Sequence, residues 1–277
     1  MSSPMLVSSP PMTEPSWARE AAALPTAPLP LPFAVLDLNG DNGWRAQIEA
    51  AERLARGGAL PPNRLLGLYS LRRPAASGGV WDRVGALQAF EPALNGANPS
   101  RLQQTLVRVW PQMASAGLLV PFATLFAEPL SQASGLEGRA ARMARRAVFL
   151  APGYEDLARN LPDQETPEAR FLSAIARGDA PQAALPDPEA LPDLPHARAV
   201  AAAFDGAPVP DVLQQQLAQG RLGETMLRAL AMTASGAEGN AADLTDGLAT
   251  LRALGLEDSA RRAALQLMIL DAERARR

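Results

Sequence analysis

Asp37-Leu38-Asn39-Gly40-Asp41 sets oxygen-bearing side chains at alternate positions, the opening of a calcium loop. Such a loop needs oxygen ligands at positions 1, 3 and 5, glycine at 6 and a bidentate carboxylate at 12. Here position 6 is Asn42 and position 12 is Ile48, with Glu49 one residue late. The segment therefore reads as a turn into the following helix. His196 is the one imidazole in the chain. It follows Pro195, no G-x-S-x-G nucleophile motif accompanies it, and it reads as a surface or capping residue opening a helix over 196–204. Asp243 and Asp246 are spaced i, i+3 near a helix start, where the dipole favours acids. Hydrolysis of a glycoside by two carboxylates needs neither His nor Cys, so that chemistry stays open on composition.

Arg139, Arg142, Arg145 and Arg146 lie on one side of a helix whose other side is Ala140, Ala144 and Ala147. Guanidinium groups so grouped suit an acidic partner or a phosphate backbone, and these four are the candidate partner-binding residues. A solvated face opposite a packed alanine face accounts for the same pattern. No residue is assigned a catalytic, cofactor-binding or metal-binding role.

Composition removes much chemistry. All 26 basic side chains are Arg, so Schiff-base lysines, pyridoxal phosphate attachment and a Walker lysine are absent. With no Cys there is no thiol nucleophile, disulfide or iron–sulfur ligand. A net charge of −3 counts against electrostatic nucleic-acid binding. No apolar run approaches the roughly 20 residues that span a bilayer. MSSPMLVSSPPM lacks the basic start and apolar stretch of a signal peptide. A soluble bacterial protein is expected, in cytoplasm or periplasm.

Helices must position whatever works here. Apolar residues are 47% of the chain and aromatics 5%, so Ala and Leu, strong helix formers, carry the pattern. Residues 1–32 read as a Pro/Ser-rich, largely extended leader, with a short helical turn over 16–24. Helical periodicity marks Trp44–Ala55, a helix starting at Pro62, Trp81–Leu94, a helix capped by Ser100 with a kink or break expected at Pro111, and a short helix around Phe122–Phe126. Thr166 caps a helix to Arg177. Asp211–Gln219, Leu222–Thr233, Ala241–Leu254 and Glu257–Arg276 complete the series. Phe33–Leu38, the best strand candidate, stands alone and reads as extended chain or a helical turn. The prolines of 181–195 suggest a boundary at 185–195, between helical-repeat regions at 33–184 and 196–277. Trp44, Trp81, Trp110, Tyr69, Phe122 and Phe126 read as core.

Residues 133–150 and 253–270 align without gaps, sharing Ala133/Ala253, Gly135/Gly255, Leu136/Leu256, Glu137/Glu257, Ala140/Ala260, Arg142/Arg262, Ala144/Ala264 and Leu150/Leu270. Recurring units of this kind mark stacked helical arrays. Leu54-Ala55-Arg56-Gly57, Ile175-Ala176-Arg177-Gly178 and Leu217-Ala218-Gln219-Gly220 echo one another as helix ends. Ala140, Ala144, Ala147 and Pro152 have a spacing that resembles the second helix of a tetratricopeptide (TPR) repeat, and Arg64–Tyr69 echoes its first helix. The chain also resembles the Ala-rich helical-repeat proteins of GC-rich bacteria. The resemblance implies a helical-repeat architecture that binds a partner protein or peptide. The expected fold is all-α, an irregular α-solenoid of stacked helical hairpins. The expected function is a non-enzymatic interaction or scaffold module, without a cofactor and without nucleic acid. The alternative is an enzyme, or the helical accessory domain of a cell-wall hydrolase, using paired carboxylates.

Overall fold

The computed structural model describes residues 31–161, 166–179, 181, 194 and 196–276. The leader, its turn at 16–24 and the boundary at 185–195, apart from Leu194 and the first two residues of the opening helix, lie outside them. The described residues form fourteen helices and no strand. They are α1 (Leu31–Asn39), α2 (Trp44–Arg56), α3 (Pro62–Ser70), α4 (Val80–Leu94), α5 (Pro99–Ser115), α6 (Leu119–Gln132) and α7 (Gly138–Leu150). Then follow α8 (Tyr154–Arg159), α9 (Pro167–Arg177), α10 (Ala197–Phe204), α11 (Asp211–Ala218), α12 (Leu222–Ala237), α13 (Ala241–Ala253) and α14 (Glu257–Ala275).

Local chemistry sets the helix ends. The Thr166 hydroxyl accepts from the Ala169 N–H at 3.2 Å and Pro167 takes the first turn, where its missing N–H costs nothing. The cap of α5 is Asn98, not Ser100: its side chain accepts from the Arg101 N–H at 3.0 Å, one residue before Pro99. Helix α5 does not end at Pro111. That proline is exposed, so the hydrogen bond it removes faces water, while Trp110 and Met113 stay anchored in the core. Phe33–Leu38 is helical because Ala34 and Leu38, four apart, share one buried side.

Three connections are the same three-residue turn: Ala116-Gly117-Leu118, Gln219-Gly220-Arg221 and Leu254-Gly255-Leu256. Each central glycine is left-handed, with φ of 69°, 74° and 78°. The third residue returns its N–H to the carbonyl five back, at 2.8 Å (Leu118 to Met113), 2.9 Å (Arg221 to Gln216) and 3.0 Å (Leu256 to Leu251). This is the Schellman arrangement, which satisfies the last carbonyls of a helix and reverses the chain. Helix α2 stops the same way, but the left-handed residue is Gly58 and not Gly57.

The buried side chains form one core from Ala34 to Ala272, with Phe90, Phe122 and Phe126 in mutual ring contact and Trp110 edge-on to Phe122. Neighbouring helices pair as α1 with α2, α4 with α5, α6 with α7 and α12 with α13. The last helix, α14, also touches α5, α7 and α9. The two sequence copies, in α7 and α14, are thus in contact. Ala140 and Ala144 in one and Ala260 and Ala264 in the other are buried, small side chains that let helices approach closely.

Candidate functional site

The four candidate arginines do not form one surface. Arg139 and Arg142 are exposed and Arg145 is half-buried, but Arg146 is 1% exposed. Arg146 shares their side of α7 but lies nearer its C-terminal end, where α9 and α14 close over that side. Its Nε donates to Glu168 of α9 at 2.7 Å, and its Nη1 donates to Glu273 of α14. Arg146 is therefore an internal tie between three helices, and it is removed from the partner-binding set.

A second buried ion pair ties α2, α3 and α4. Arg83 forks onto the Glu52 carboxylate at 2.8 and 2.6 Å, and the Tyr69 hydroxyl donates to the same carboxylate at 2.6 Å. Burial, and then the Glu52 charge, push the Tyr69 phenol well above its usual value. Burial tends to lower Arg83, but Glu52 more than offsets it and raises its pKa. Tyr154 repeats the device: its hydroxyl donates to Asp258 at 3.0 Å, and burial followed by Asp258 raises its phenol. Burial pushes the Glu257 carboxyl up, yet Arg252 and Arg261 together hold it below the usual carboxylate range.

The remaining sequence candidates fall into structural roles. Asp37 and Asn39 sit in α1, and the Asn42 amide folds back to the Asp37 carbonyl at 3.1 Å, so no loop encircles an ion there. Among the described residues no three His, Asp or Glu side chains gather around a common point. His196 precedes α10 in the left-handed conformation at φ 67°, with Nε2 3.0 Å from Asp271. That aspartate also accepts from Arg274 at 2.6 Å, and no hydroxyl among the described residues bonds the ring. Asp243 accepts from the Ser235 hydroxyl at 2.6 Å, so it serves the α12–α13 junction.

The helices enclose a groove of about 930 Å³ that no spacing in the sequence announces. The α2–α3 connection forms one wall, the α5–α6 turn and the first turns of α6 another, and α14 the third. Its floor is apolar: Leu60, Pro61, Leu119, Val120 and Leu270. Arg56 and Arg274 stand at its rim, both exposed. The Gln266 amide also lines it and has no hydrogen-bond partner among the described residues. Glu273 lines it too but is committed to Arg146. The wall-forming turn Ala116-Gly117-Leu118 did carry a signal, a glycine flanked by two helical patterns.

No helix among the described residues is long and apolar enough to cross a membrane. No protein-family model, curated protein or solved structure matches the chain.

Proposed function

We propose that this chain is a non-enzymatic interaction module that holds an extended segment of a partner protein in the groove between α2–α3, α5–α6 and α14. The reading is TPR-like in the sense of alanine-faced helices stacked to present a surface. One observation carries it: the groove combines an apolar floor with polar groups still free to bond. Among the described residues Arg56 makes no ion pair and the Gln266 amide no hydrogen bond, so both can meet the carboxylates and backbone of a peptide. Arg139, Arg142 and Arg145, on α7 outside the groove, offer a second surface to an acidic partner. A two-carboxylate hydrolase would instead need an acid kept protonated near neutral pH. Glu52, Glu168 and Glu273 are each committed to an arginine in an ion pair that ties helices together, which leaves none of the three as a free acid in a cleft.

The test compares capture from a lysate of the source cells by the wild-type chain and by Thr124→Arg. Thr124 is exposed on the groove wall, so the longer side chain fills the groove without touching the core. A stoichiometric protein retained by wild type and lost from the variant is expected. Equal retention by both, or a retained glycan in place of a protein, sinks the reading.

A further inference from the structure

Helix α12 is apolar on two sides. Thr225, Ala229 and Gly236 are buried, and this side is closed by α13. Gly236 and Gly247 let the two backbones meet: a methyl group on Gly247 would stand 2.8 Å from the Ala229 carbonyl oxygen. The second side is Gly223, Leu227, Leu230, Ala234 and Ala237, and all five are exposed. Leu227 is 70% and Leu230 49% accessible. Their spacing of four, three, four and three is the a/d seam of a coiled coil. A helix with apolar residues nearly all round is a helix built to be covered, and α13 covers half of it.

We propose that the exposed seam of α12 pairs with the same seam of a second copy of this chain, the two helices running antiparallel. The charges choose both the occupant and its direction. Arg221 stands at the N-terminus of α12 and Glu238 at its C-terminus. Each is opposed by the helix's own dipole, which favours anions at the start and cations at the end. Arg221 and Arg228 share the single Glu224, leaving the N-terminal half one positive charge in excess. Glu238 has no ion-pair partner among the described residues. An antiparallel copy sets the basic end of each helix beside the acidic end of the other, so both charges meet an opposite charge and a favourable dipole. A parallel copy sets arginine on arginine. Leu227 and Leu230 flank the midpoint of the sixteen-residue helix. The two-fold axis therefore stacks the leucine pair of one copy on that of the other, with small residues outward on both sides.

Sedimentation velocity on the full chain, over a concentration series at low salt, tests this. A monomer–dimer equilibrium is expected. Leu230→Arg brings two guanidiniums together at the axis and should raise the dimer Kd by more than about tenfold. Leu222→Arg, equally exposed but off the seam, should leave it unchanged. Arg221→Glu and Glu238→Arg should each weaken the dimer, and the double swap should restore it. A monomer at every concentration up to about 1 mM overturns the proposal. So does a dimer indifferent to Leu230→Arg, and a double swap that fails to rescue overturns the antiparallel pairing. Circular dichroism of each variant separates these results from unfolding.

Discussion

Arg146 and Arg139 lie on the same side of one helix and do opposite work. Arg139 meets water, whereas Arg146 is closed in by Glu168 and Glu273. Removing one member of a buried ion pair strands the other's charge, so Arg146→Ala should cost about 3–5 kcal/mol in urea unfolding. Arg139→Ala should stay within about 0.5 kcal/mol. Nothing local distinguishes the two arginines. The discriminating partner, Glu273, is 127 residues away, which is why spacing alone grouped all four. The tyrosines give a second residue-scale check. The chain has only two, Tyr69 and Tyr154, and both phenols are raised. A phenol whose folded pKa lies above its unfolded value contributes stability that is complete below about pH 10 and is lost as pH rises through the folded value. Absorbance at 295 nm should therefore show no tyrosine ionising near pH 10 while the protein stays helical. A tyrosine titrating there in the folded state would contradict these hydrogen bonds. Glu257 has the opposite sign: its lowered carboxyl stabilises above the unfolded carboxylate pKa and stops doing so as pH falls through its folded value.

At the scale of elements, most helices were legible because their signals are local. Thr166-Pro167 starts α9 and Gly178 stops it in sequence as in space. The errors also have local causes. Asn98 outcompeted Ser100 because a proline at the first helical position moves the cap one residue upstream of it. Pro111 was tolerated because tertiary burial of its neighbours overrides one missing hydrogen bond. The α12–α13 contact was not legible, since Gly236 and Gly247 look like weak helix positions until the partner backbone is seen. Gly247→Ala separates the two effects. Helix propensity alone predicts a gain of about 1 kcal/mol. The clash with the Ala229 carbonyl predicts a loss of about 1–3 kcal/mol, and the loss should win because backbone, not a flexible side-chain end, must yield. A rise in thermal midpoint for this variant would mean the helices sit farther apart.

For the whole molecule, the all-α class followed from Ala and Leu abundance and helical periodicity, and the structure is all-α. The return of α14 onto α5, α7 and α9 was not readable, because an array pattern says only that units stack and not where the chain comes back. That return builds the groove, since α14 supplies one of its walls. The proposed function thus rests on a long-range contact, while the sequence spoke mainly of local ones. The most direct test is hydrogen exchange of the protein with and without its captured partner. The account predicts slowed exchange at 59–62, 116–124 and 266–274, with the Arg139–Arg145 segment second in strength. Protection confined to surfaces away from the groove, with those three segments unchanged, would contradict it.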